Sequence, residues 1–140
     1  MRGSAGLGWP AASPPPAHDG LVWQLSDVTE LPRVRAEVRR CLDAGGPADL
    51  RDRLLLVLDE MASNALRHGG GRVQAAVRRT GDAILVAVSD GDTRTPPTPA
   101  VDRDPSEGGL GLYLIAELST SHGWWVDGDA KTVWAVLRPG

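Results

Sequence analysis

The sequence is poor in several residue types whose absence excludes whole classes of protein. It holds one cysteine, Cys41, which rules out an intramolecular disulfide and a four-cysteine zinc site and makes a reducing cytosol the natural compartment. No long apolar run exists: Leu54–Leu58 is the longest aliphatic stretch, far below the roughly 20 residues that cross a bilayer. Arg2 is not followed by an apolar segment, so no secretory leader is expected and the chain reads as cytoplasmic, with no membrane partner. A basic excess is also missing. Lys and Arg total 15 against 18 Asp and Glu, for a net charge of -3, and a general nucleic-acid binder would need the opposite balance. His18, His68 and His122 lack metal-ligand spacing with one another or with Cys41. Ser119, Ser121 and His122 cluster without the Gly-x-Ser-x-Gly turn that a hydrolase elbow requires.

What is present suits one globular domain. The 140 residues are 41% hydrophobic and 24% charged, enough for a single core. Residues 1–19, with Pro14–Pro16 and several glycines, have little to bury and read as a disordered or extended tail, leaving 20–140 as the folded domain. Leu21–Leu25 alternates like an edge strand. Leu31, Val34, Val38 and Leu42 recur at helical spacing within a helix over Glu30–Ala44. Pro47 and Asp49 open a second helix whose apolar face is Leu54, Leu58, Met61 and Ala65, closed by Gly69–Gly71. Strands follow at Arg72–Arg79 and Ala83–Ser89 around Gly81–Asp82. Asp90–Glu107 has no periodicity and reads as a long loop of the kind that carries function. Gly108–Gly111 leads into a helix to Leu118, and a hairpin closes the chain, with strands at Gly123–Val126 and Thr132–Leu137. Short returns between strands predict an antiparallel or mixed sheet with three helices on one face.

Three features carry chemistry. Glu60, Asn64 and His68 are spaced i, i+4, i+8 and fall within an arc of roughly 80° on the second helix. A carboxylate and an amide at the edge of a buried face need partners, and a hydrated Mg²⁺ carrying phosphates satisfies both; a solvated amphipathic helix with a chance polar row explains the pattern as well. Gly108, Gly109 and Gly111, opening a helix, allow close approach of an anion to backbone N–H groups, although glycine before a helix is often only a turn. They form neither a dinucleotide fingerprint nor a Walker A loop. Asp90, followed by Gly91 at a strand end, can accept the exocyclic amine of adenine or can be an ordinary turn aspartate.

Order and spacing join these features. Glu-x-x-x-Asn-Ala-x-x-His-Gly on a helix, two strands, Val-Ser-Asp-Gly, a Pro-rich loop and Glu-Gly-Gly-Leu-Gly-Leu together resemble the GHKL ATPases, the superfamily of gyrase, heat-shock chaperone, histidine kinase and MutL. Within it the pattern is most similar to the single-domain anti-sigma-factor serine kinases, over about residues 20–138. The resemblance implies an α+β two-layer sandwich of the Bergerat type, with a mixed, mostly antiparallel sheet, and it implies ATP and Mg²⁺ as cofactors. It implies Glu60 as the catalytic acidic residue and Asn64 as the metal ligand. Asp90 with Gly91 would bind adenine, supported by Thr132, and Gly108, Gly109, Leu110 and Gly111 would hold the phosphates under a lid over Thr93–Glu107. The implied activity is phosphorylation of an anti-sigma antagonist and sequestration of a sigma factor. This chain departs from the family at Asp92 and Arg94, where glycines are usual. A non-catalytic partner-binding module of the same fold, a detached histidine-kinase catalytic domain and a homodimer all stay open.

Overall fold

A computed structural model describes residues 9–42, 48–68, 72–94, 97 and 110–139. Five strands build an antiparallel sheet: β1 (His18–Leu25), β2 (Val73–Thr80), β3 (Ala83–Asp90), β4 (Ser121–Asp127) and β5 (Ala130–Leu137), in the order β1-β2-β3-β5-β4. Three α-helices, α1 (Leu31–Leu42), α2 (Ala48–His68) and α3 (Leu110–Leu118), lie on one side, with a short 3₁₀ turn at Val28–Glu30 leading into α1. The fold is therefore the α+β sandwich that the element order implies.

Local chemistry sets the elements. Asp27 caps the 3₁₀ turn by accepting from the Thr29 N–H, and Glu30 reaches back to the Ser26 and Asp27 N–H groups, a capping box that fixes the entry to α1. The β2–β3 and β4–β5 hairpins each place glycine, Gly81 and Gly128, at the first of two loop positions with positive φ, where a type II′ turn needs it. The start of α2 cannot be compared with the expected cap, because Pro47 lies outside the described residues; Asp49 instead pairs with Arg53 one turn on.

Period-two alternation sorts the sheet into two faces. Leu21, Trp23 and Leu25 of β1, Val73, Ala75 and Val77 of β2, Ile84, Val86 and Val88 of β3, and Val133, Ala135 and Leu137 of β5 meet the helices. Leu54, Val57, Leu58, Met61 and Ala62 of α2 complete that core, all at most 2% exposed. The opposite face carries a second, smaller cluster of Ala83, Leu85, Trp134 and Val136.

The N-terminal segment, expected as a disordered or extended tail, is described from Trp9 onward. Trp9 is 6% exposed and joins the helix-side core, its ring 4.7 Å from that of His122. Residues 10–12 then run along the outer edge of β4: Trp124 N–H donates to Pro10 O, and Ala12 N–H to Trp124 O, a parallel bridge. Ala12 O accepts from the Trp134 indole, and Ala17 packs on the second cluster. β4 and β1 are opposite edges of the sheet. The chain passes from the outer edge of one to the other between Ala12 and His18. The proline-rich segment is thus a strap across the back of the sheet. Extended proline-containing chain suits this path because it covers apolar surface without needing ladder partners of its own.

Candidate functional site

The polar row on α2 comes out as its spacing requires. Glu60 and Asn64 are both half-buried, at the edge of the face that Met61 and Ala65 bury, while His68 at the helix end is exposed. Glu60 is tied to α3. A methyl group placed on Gly111 would stand 2.2 Å from the Glu60 carboxylate and 3.3 Å from its Cβ. The second glycine of the Gly-Leu-Gly pattern is therefore the surface against which the acidic side chain packs. Leu110 opens α3; Gly108 and Gly109 lie outside the described residues, as does the expected lid apart from Thr93, Arg94 and the buried Pro97.

Asp90 ends β3 on the helix-facing side, continuing the line Ile84, Val86, Val88, and its side chain is only 4% exposed. One carboxylate oxygen accepts the Asp92 N–H at 2.8 Å, and the other lies 3.7 Å from Lys131 Nζ. Burial pushes the Asp90 carboxyl above its ordinary range, opposed by the Asp92 N–H and the Lys131 charge. Gly91 leads the chain out of the strand, and the Arg94 N–H donates to the Asp92 carboxylate at 3.3 Å, so the residues standing where glycines are usual shape the loop through Asx-type bonds.

Thr132 and Asp90 are not brought together. The β3–β5 register pairs Thr132 with Ser89, and their hydroxyls share a 2.7 Å hydrogen bond on the sheet face away from the helices. The residue opposite Asp90 is Lys131. Reading the sequence for motifs missed Lys131, although a signal was there: Lys131, Val133, Ala135 and Leu137 share one parity, and that parity faces the helical layer.

The gathered groups suit a magnesium nucleotide. Asn64 offers a hard amide oxygen of the kind Mg²⁺ prefers and Glu60 a carboxylate that can orient a water, beside a helix start with no side chain at Gly111. A buried carboxylate at the sheet end offers an acceptor to a base. No cluster of three or more histidine, cysteine, aspartate or glutamate side chains that suits a metal occurs among the described residues.

Comparison with known proteins places this arrangement. Residues 25–137 match the histidine kinase-like ATPase domain, and the chain belongs to that family. It is 38% identical over 85 residues to the alginate biosynthesis sensor protein KinB of Pseudomonas aeruginosa, a match covering 51% of this chain and 14% of that protein. Among solved structures, the RsbU and RsbW domains of Rv1364c from Mycobacterium tuberculosis superpose with a TM-score of 0.60 at 17% identity, over 85% of this chain and 32% of theirs. The chain thus spans well under half the length of either relative, and the second likeness is one of fold. The family match makes this a histidine kinase-like ATPase domain, and the structural likeness supports the architecture described above. Among the described residues, no helix is long and apolar enough to cross a membrane.

Proposed function

We propose that the chain is the ATP-binding domain of a bacterial regulatory protein kinase of the anti-sigma-factor type, which transfers the γ-phosphoryl group of ATP to a serine hydroxyl on a small antagonist protein and also sequesters a sigma factor. The observation that carries this reading is the packing of Glu60 against Gly111, on the same side of the sheet as buried Asp90. An acid held at a helix start is where an attacking hydroxyl and a phosphate chain would meet. When bound, Mg²⁺-ATP supplies the phosphoryl group and the metal charge that neutralises its oxygens. Glu60 orients the serine hydroxyl and accepts its proton as the serine oxygen bonds to phosphorus and ADP leaves. Asn64 would hold the metal through its amide oxygen. Asp90 fixes the base by accepting from its 6-amino group. The chain's work is positioning, which is where most of the rate in phosphoryl transfer originates.

Titration calorimetry with Mg²⁺-ATP tests this on the wild type, Asp90→Asn and Glu60→Ala. Asp90→Asn should weaken binding by roughly tenfold or more, the worth of a hydrogen bond to a charged acceptor. Glu60→Ala should bind within about threefold of wild type and transfer no label from radiolabelled ATP, since it removes an interaction used in the transition state. Transfer at the wild-type rate would remove Glu60 from the mechanism. The loop geometry at Asp92 and Arg94 favours a second reading, a partner-binding module without turnover. A folded wild type that binds no nucleotide would select it.

A further inference from the structure

The helical layer stops short of one end of the sheet. α1 ends at Leu42 and α2 starts at Ala48, and between these helix ends and the β2–β3 turn lies a cavity of about 500 Å³. Small-molecule sites span roughly 300–1,000 Å³. Val38, Leu50 and Leu54 from the helices and Leu21, Val77 and Ile84 from the sheet form its apolar walls. The three sheet residues face the core yet are only partly buried, whereas Val73, Ala75, Val86 and Val88 are at most 2% exposed. No aromatic ring is among the described lining residues. The charges at the opening are unevenly matched. Asp82 is held by Arg138 at 2.7 Å, and Asp19, 88% exposed, stands 3.6 Å from His18 Nδ1. Arg79 is the next residue of core-facing parity after Val77; it is exposed and has no ion pair among the described residues. Arg78 has the parity of the opposite face, where its strand partner is Leu85. β3 runs from Ala83 at the cavity to Asp90, about 23 Å at 3.3 Å per residue, so the cavity is separate from the candidate nucleotide site.

We propose that this cavity binds a small monocarboxylic acid with an aliphatic body, a medium-chain fatty acid, whose carboxylate meets the Arg79 guanidinium. An aliphatic chain laid on Leu21, Val77 and Ile84 leaves water together with the core-facing surface that the helices do not cover. A guanidinium fork matches a carboxylate with two parallel N–H donors. Walls without a ring give a planar aromatic ligand nothing to stack on. Asp19 and Asp82 at the opening would repel a second negative charge, which favours a monoanion over a phosphate ester. Cys41 lines the same cavity and is the chain's one cysteine, so its thiol reports occupancy. The inference does not depend on the nucleotide reading.

The test titrates the full wild-type chain with decanoate, decanol and decylammonium by calorimetry, below micelle-forming concentrations, and follows the alkylation rate of Cys41 in parallel. Decanoate should bind roughly tenfold or more tightly than decanol, as for a hydrogen bond between charged partners. It should also slow alkylation in a saturable way, a readout that needs no variant. Decylammonium should bind more weakly than either. Arg79→Gln, a change at an exposed position, should fold and bind decanoate and decanol alike. Equal binding of the three ligands by wild type overturns the carboxylate class. A preference for decanoate that survives in Arg79→Gln overturns the role of Arg79. Binding that leaves the alkylation rate unchanged puts the acid elsewhere and overturns the site, as does no binding at all. Saturating Mg²⁺-ATP should not displace decanoate; displacement would put both ligands in one place and overturn the separate cavity.

Discussion

Gly111 is better explained by what it touches than by the turn it sits in. A side chain there would enter the space of the Glu60 carboxylate at 2.2 Å, and the obstacle is the far end of a flexible side chain rather than backbone. Gly111→Ala should therefore fold, with the small gain alanine brings to a helix, while pushing the carboxylate aside. Misplacing a positioned group by about 1 Å costs on the order of 10²-fold in rate. The expected outcome is a loss of that order in phosphate transfer with ATP affinity within about threefold of wild type. Single-turnover kinetics with calorimetry decides it, and a parallel loss of rate and affinity would mean that Gly111 serves phosphate binding instead.

The strap is the element whose role the sequence hid most. β4 would otherwise be an open edge beside exposed Trp125 and Val126, a template for pairing with another chain. Pro10 and Ala12 satisfy its outward N–H and C=O groups at Trp124, and Trp9 anchors the strap against His122. The Trp9 Nε1 is buried without a hydrogen-bond partner among the described residues, which offsets part of the gain from burying the ring. Trp9→Ala should cost about 3 kcal/mol, the low end for a buried large aromatic residue. Urea unfolding measures it. A cost near zero would show that the segment is held by the Pro10–Ala12 bridge and the proline path rather than by its anchor.

At the scale of the whole molecule, the titrating groups act in opposite directions and their sum has a sign. Asp27 and Glu30 in the capping box have lowered pKa values because backbone N–H groups donate to them, and burial lowers that of His122. Each favours the deprotonated form in the folded state. The His122 contribution is therefore present above its ordinary value of 6.5 and lost as pH falls through its folded value. Those of Asp27 and Glu30 are lost lower, below their ordinary 3.8 and 4.5. Asp90 runs the other way: burial raises its pKa, so protonation relieves a cost as pH falls. His122 opposes Asp90 above about pH 4.5 and is joined by Glu30 and then Asp27 below it, which predicts that thermal stability declines from neutral pH toward about pH 3. Melting curves across that range check the slope, and His122→Gln should flatten only its upper part. A melting temperature that rises on acidification would mean that Asp90 dominates.

How much of this was legible divides along the range of the interactions. Helix pitch alone sets Glu60 and Asn64 on one stripe, hydrophobic spacing alone predicts the buried faces of α1 and α2, and glycine in two-residue loops marks the hairpins; each needs only neighbours within a few positions. The histidine kinase-like pattern was legible for the same reason, since its motifs are short and ordered along the chain. The pairing of Asp90 with Lys131 rather than Thr132 was not, because side chains alternate between sheet faces and a one-residue step in register reverses every assignment. Neither was the fit of Gly111 to Glu60, nor the course of Trp9–Ala17 around β4 and across the sheet. A proline- and glycine-rich segment carries no periodicity of its own, so it takes its conformation from the surface it covers. The sequence by itself determined the elements, the core-facing residues and the family, whereas tertiary structure alone decided which distant side chains share a face, because strand register and close packing join residues that no local rule connects.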